Sequence, residues 1–133
     1  MRKIRFRGKT KYGVWVYGGF VKLNDTAYIV KVERQTFEPY SEIATMEEVD
    51  PKTVGQYTGL KDRDGQDIYE GDILIDEENG LNVVRWGDGQ YLLEVLLDDG
   101  DYYTEWLSEY NEMCRVIGNV YENPELLKGE ETE

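Results

Sequence analysis

Four dipeptides constrain this chain more than anything else in it. Asp64-Gly65, Asn79-Gly80, Asp88-Gly89 and Asp99-Gly100 recur between short runs of aliphatic and aromatic residues. Each pair offers the positive φ that tight hairpin turns demand, and glycine reaches it without steric penalty. Strands joined by such turns run antiparallel. Little of the remainder reads as helix, so the pattern predicts a mainly β protein made of hairpins. In the C-terminal half five short strands fit, at 69–75, 81–86, 91–97, 102–107 and 114–121. Five strands with short connections suit a small SH3-like barrel, because closure removes exposed edges; a half-open sheet carries the same pattern.

The N-terminal half begins with a strand in which Lys3, Arg5, Arg7, Lys9 and Lys11 share one parity and Ile4 and Phe6 the other. Successive side chains of a strand point to opposite faces, so the five cations form a stripe. Residues 13–23 continue as a strand, and 26–32 pairs back across an Asn24-Asp25 turn. Between 33 and 51 the alternation fails, which predicts a long loop. Within it Thr45-Met46-Glu47-Glu48 matches a helix capping box, with Pro51 too close to allow more than a turn or two. Residues 108–112 suit a helical turn. Asn123-Pro124-Glu125-Leu126-Leu127 reads as a cap, an N1 proline and a short C-terminal helix. The expected organisation is a single domain, 1–128, with a β lobe over 1–60, a barrel-like β lobe over 61–128 and a disordered acidic tail at 129–133.

Length and composition narrow the functions. At 133 residues the chain is about one domain. It has no histidine, a single cysteine (Cys114) and two serines, Ser41 and Ser108. An internal disulfide, a Cys/His zinc site and every scheme that needs histidine are excluded. No phosphate-binding glycine loop is present either, so a non-enzymatic protein without a cofactor is expected. The formal charge is −13, divided as +6 over residues 1–40 and −19 over 41–133. Such a balance argues against sequence-neutral DNA binding, which phosphate neutralisation drives. The longest stretch free of Asp, Glu, Lys and Arg is 12–21, ten residues against the roughly 20 of a spanning helix. It is rich in glycine and aromatics and lacks a small-residue cleavage pattern, so the chain reads as cytoplasmic.

Three constellations bear on chemistry. The cationic stripe spans about 26 Å at roughly 3.3 Å per residue, and Tyr12, Trp15 and Tyr17 follow it as candidate stacking platforms for bases. Lys3, Arg5, Arg7, Lys9, Lys11, Tyr12, Trp15 and Tyr17 are therefore the candidate macromolecule-binding residues. The competing reading turns the stripe toward the protein's own acidic half or a second copy, and it is favoured by the charge of the remainder. The acidic half itself could occupy a basic groove of another protein. Asp62, Asp64, Asp67, Glu70 and Asp72 offer oxygen ligands for a divalent cation and carboxylates for a metal-dependent enzyme. They fail as an EF-hand, with Asp67 at the glycine position and Ile73 at the closing glutamate. A solvated acidic turn is the favoured reading, with no metal bound. Cys114, between Met113 and Arg115, reads as a small buried hydrophobe.

Three segments carry a resemblance. Ile4-Arg5-Phe6-Arg7-Gly8-Lys9 with Trp15-Val16-Tyr17-Gly18 is the first. The central one is Thr53-Val54-Gly55-Gln56-Tyr57-Thr58-Gly59-Leu60-Lys61-Asp62, running on into Asp64-Gly65-Gln66-Asp67-Ile68-Tyr69-Glu70-Gly71-Asp72-Ile73. Val116-Ile117-Gly118-Asn119-Val120-Tyr121 with Glu122-Asn123-Pro124-Glu125-Leu126-Leu127 is the third. Together they resemble the YopX family of bacteriophage and prophage proteins over nearly the whole chain, with 33–47 and 76–112 matching loosely. The resemblance implies a mostly β accessory protein and carries over no activity, cofactor or catalytic residue. In the central segment Asp62 to Gly65 reads as a hairpin loop. The expected function is a binding module with a protein partner, itself included as a homo-oligomer; nucleic acid is the alternative partner.

Overall fold

In a computed structural model, described here over residues 3–35, 41–78 and 80–128, nearly all regular structure is antiparallel β. The chain divides into two compact units that meet in sequence between Tyr57 and Thr58. Among the described residues no helix is long and apolar enough to cross a membrane.

The N-terminal unit contains β1 (Phe6–Lys9), β2 (Trp15–Leu23), β3 (Thr26–Gln35), β4 (Ser41–Val49) and the start of β5 (Gly55–Lys61), in the spatial order β4-β3-β2-β1-β5. Asn24 and Asp25 both have positive φ and close the β2–β3 hairpin, with Leu23 facing Thr26. The sheet turns a corner at Gly18, where β2 leaves β1 and takes up β3. A Cβ on Gly18 would lie 2.2 Å from the Val30 carbonyl oxygen, so no other residue fits there. One face of this sheet buries Ala27, Ile29 and Val49, with Phe6, Val16 and Val54 packed against them. Removing that apolar surface from water is what holds the unit together.

The expectation of a long loop over 33–51 is wrong. Residues 41–49 are β4, paired with β3 from Ser41↔Gln35 to Val49↔Ala27. Residues 36–40 lie outside the described part. Strand β4 escapes a periodicity search because Ile43 to Glu48 are all exposed, so burial imposes no alternation there. The capping-box residues Thr45 to Glu48 are in this strand and not in a helix; cross-strand pairing outweighs a local cap.

The C-terminal unit opens with the end of β5 and β6 (Asp67–Tyr69), which form the expected hairpin: Asp62 N–H donates to Gln66 O at 2.9 Å, and Gly65 has φ +83°. Strands β7 (Asp72–Asp76), β8 (Gly80–Gly87), β9 (Gln90–Leu96), β10 (Tyr102–Trp106) and β11 (Arg115–Asn119) make a sheet ordered β10-β9-β8-β7-β11. The strand expected at 69–75 is broken at Glu70-Gly71. Asp72 turns its carboxylate back onto the Tyr69 N–H at 2.8 Å, and that ends β6.

SH3-like closure does not occur; the sheet is open, the other arrangement its pattern allows. Strand β10 does not meet β11. Instead the helical turn α1 (Leu107–Tyr110) and a 3-10 turn (Asn111–Met113) carry the chain away from β10, and β11 then joins β7 on the far side. Leu107 and Cys114 sit in a core with Ile68, Leu74, Val84, Leu93 and Val95. Burial of the connection thus takes the place of edge pairing. The short C-terminal helix is a 3-10 turn at Pro124–Lys128, and the tail expected at 129–133 lies outside the described residues.

Candidate functional site

The cationic stripe is shorter and less open than its sequence parity implies. Only Arg7 and Lys9 lie in β1; Lys3 is exposed ahead of it, and Lys11 and Tyr12 lie in the β1–β2 turn. Pairing places Arg7 beside Tyr17 and Lys9 beside Trp15, all on the sheet face opposite Ala27 and Ile29. Arg7 is 6% exposed, and its guanidinium lies 4.9 Å from the centre of the Trp15 ring. Arg5 stands 5.9 Å over the Tyr57 ring, and the Lys11 ammonium 5.3 Å from the centre of the Tyr12 ring. At least three of the five cations therefore rest on aromatic faces, where ring quadrupoles attract them. Tyr12 is 80% exposed and Tyr17 is exposed, whereas Trp15 is half-buried.

A clip fastens β1 to the end of β4. The Lys9 N–H donates to Thr53 Oγ1 at 2.9 Å, and the Thr53 hydroxyl donates to the Asp50 carbonyl at 2.7 Å. The Asp50 N–H returns to the Lys9 carbonyl at 2.9 Å. A Cβ on Gly8 would meet Val49 Cγ2 at 2.8 Å, so the two strands touch backbone to side chain. Beside this clip a cleft of about 880 Å³ opens between the turn at 10–14 and the segment 46–51. Lys9, Lys11 and Tyr12 stand on one wall; Met46, Glu47 and Glu48 stand on the other.

The face that carries Arg7 and Tyr17 continues across the sheet. Registers place Val21 against Tyr28 and Val30 against Met46 on that same side. Val32 (60% exposed) and Met46 extend it outward, and Val21, Tyr28 and Val30 are half-buried. Tyr28, Met46, Tyr57 and Thr53 were not singled out by sequence reasoning. Parity along β3 was the available signal for Tyr28; the other three depend on pairings that no local pattern reveals.

The acidic constellation does not form one site. Asp62 is 4% exposed and accepts N–H groups from Asp64 (2.8 Å), Gln66 (2.9 Å) and Val116 (2.9 Å). Burial alone would raise its pKa. The Val116, Gln66 and Asp64 N–H donors and the Arg115 charge outweigh burial and hold it below the usual carboxylate value. Asp67 pairs with Lys61, Asp72 serves the Tyr69 N–H, and Asp64 is exposed. The favoured reading of a solvated turn thus fails for Asp62 and Asp72, which are buried hydrogen-bond acceptors. Among the described residues no group of three or more metal-ligating side chains comes together. Cys114 is fully buried, as a small hydrophobe should be; burial pushes its thiol up to about 11, with Asp76 and Asp62 adding.

Fold and surface together define a small two-unit antiparallel β protein with an aromatic, partly cationic face on its N-terminal unit. The family model described as YopX protein matches residues 5–128, and the chain belongs to the YopX family. A crystal structure of protein EF1440 from Enterococcus faecalis is similar, at 22% identity and a TM-score of 0.58. The match covers 96% of this chain and 99% of that one; it shows a shared fold. No curated protein matches the chain.

Proposed function

We propose that the chain is a non-enzymatic binding module, a phage- or prophage-encoded accessory protein of the bacterial cytoplasm, and that its partner is a protein. The observation that carries this reading is the sheet register of the N-terminal unit. It collects Tyr17, Tyr28, Val30, Val32 and Met46 on the face turned away from the Ala27–Ile29–Val49 core. Aromatics, Met and Arg with few acids are what protein interfaces use at their centres. Arg7 stacks on Trp15 and is buried, so the middle of the cationic stripe supports packing better than phosphate binding.

Single-stranded nucleic acid is the second reading, favoured by exposed Tyr12 beside Lys9 and Lys11 on one wall of the cleft. Affinity capture from bacterial lysate, with and without nuclease, separates the two readings. A nuclease-resistant protein retained by wild type and lost with Tyr17→Asp/Val32→Asp supports the protein reading. Nuclease-sensitive capture that Lys11→Glu abolishes replaces it with the second.

A further inference from the structure

Among the described residues strand β4 is the outer strand of the N-terminal sheet, and the side it turns away from β3 can be identified residue by residue. Antiparallel pairs alternate between hydrogen-bonded and non-bonded. The Thr10 N–H donates to the Val14 carbonyl, which makes Thr10/Val14 a bonded pair. Counting along the register makes Gly8/Val16 and Phe6/Gly18 bonded as well, so the odd-numbered residues of β2 turn their backbone toward β3. Gly19/Val30, Val21/Tyr28 and Leu23/Thr26 are then the bonded pairs, as a two-residue turn after Leu23 requires. The remaining backbone groups of β3, at Ala27, Ile29 and Lys31, bond Val49, Glu47 and Thr45. Ala44, Met46 and Glu48 must therefore direct their N–H and C=O groups away from β3. Asp50, next in that series, points the same way, and its N–H reaches the Lys9 carbonyl at 2.9 Å.

Sheet edges of this kind are usually blunted by lysine, proline or a bulge. Strand β4 is guarded by acids alone: Ser-Glu-Ile-Ala-Thr-Met-Glu-Glu-Val holds no cation and no proline, and its register with β3 is unbroken, so its charges turn away an acidic strand and not a basic one. Its last four residues line the 880 Å³ cleft, so the open edge faces room for another chain. Glu47 and Glu48 stand on opposite faces of the strand, flanking the edge with negative charge on both sides, and Met46 offers an apolar contact on the face of Glu48.

We propose that this edge takes up an extended, cationic segment of another protein, which adds as a strand beside Ala44 to Glu48. Backbone hydrogen bonds to Ala44, Met46 and Glu48 supply the register, and Lys or Arg side chains on the segment meet Glu47 and Glu48. The proposal rests on the protein-binding reading above and names the partner's chemistry and the mode of docking.

The test uses the intact chain and a displayed library of random peptides of about seven residues. Selection is expected to enrich proline-free peptides in which Lys or Arg alternates with β-branched residues. Their affinity is expected to fall by roughly tenfold or more in Ala44→Pro and in Met46→Pro, each of which removes an outward N–H and leaves the β3 pairs intact. Glu47→Lys/Glu48→Lys weakens them through charge alone and guards against a folding defect in either proline variant. Enriched peptides indifferent to all three variants, or no enrichment, overturn the proposal. A wild-type dimer in sedimentation that Ala44→Pro dissociates overturns it too, by making a second copy the occupant. A captured protein partner that is lost with Tyr17→Asp/Val32→Asp but kept by both proline variants overturns only the strand addition. Absence of any protein partner removes both readings.

Discussion

The Asp62 carboxylate accepts the backbone N–H of Val116 at 2.9 Å, tying the β5–β6 hairpin loop to β11 across 54 residues of sequence. Its other oxygen closes the loop by accepting from Asp64 and Gln66. One buried side chain thus sets both a local turn and a long-range contact.

Asp62→Asn keeps the shape but places an amide NH₂ or a lost acceptor against one of these N–H groups. It should cost about 2 kcal/mol in urea unfolding. Because folding holds the Asp62 pKa below its ordinary 3.8, its share of stability is full above that value and is lost as pH falls below it. Wild type should therefore lose stability on acidification in this range more steeply than Asp62→Asn. Equal slopes for the two proteins would remove Asp62 from that role.

Gly18 and Gly65 should respond differently to alanine. At Gly65 φ is +83° and nothing beyond its chain neighbours lies within 4 Å of the added Cβ, so the cost is backbone strain alone, about 1 kcal/mol. At Gly18 the Cβ meets a carbonyl oxygen at 2.2 Å, so the corner of the sheet must open, at about 3 kcal/mol or more. Denaturant midpoints of the two variants give the comparison; equal shifts would mean that the corner is misplaced.

Arg7→Lys should destabilise by about 1 kcal/mol and shift the Trp15 fluorescence, because an ammonium does not stack as a guanidinium does. Lys3→Glu should leave the unfolding midpoint unchanged, since Lys3 is exposed ahead of β1. An Arg7→Lys protein with wild-type stability and emission would show that the stacking contributes nothing.

Cys114 should resist thiol reagents at neutral pH, since its side chain is fully buried and its pKa lies near 11. Labelling should appear together with global unfolding in a denaturant titration. Rapid modification of the folded protein would require the core around Leu74 and Leu107 to open.

Sequence by itself determined the class of this protein, because turn chemistry is local. The glycines of the four Asp-Gly and Asn-Gly pairs all have positive φ, and Asn24-Asp25 closes the hairpin expected of it. Each of those outcomes depends on two adjacent residues and the sterics of one backbone angle. The family segments were legible for the same reason, since they are contiguous. Only the tertiary structure decided what Arg7, Asp62 and residues 41–49 do. Arg7 counted as a surface cation until β2 brought Trp15 over it, and Asp62 as a solvated acid until Val116 reached it. Over Ile43 to Glu48 strand β4 has no alternation to read, because both faces are exposed there; it exists through its pairing with β3. Whether the second sheet closed depended on where the turn after Trp106 found burial. Burial and hydrogen-bond partners come from residues far apart in the chain, and a local pattern carries no record of them.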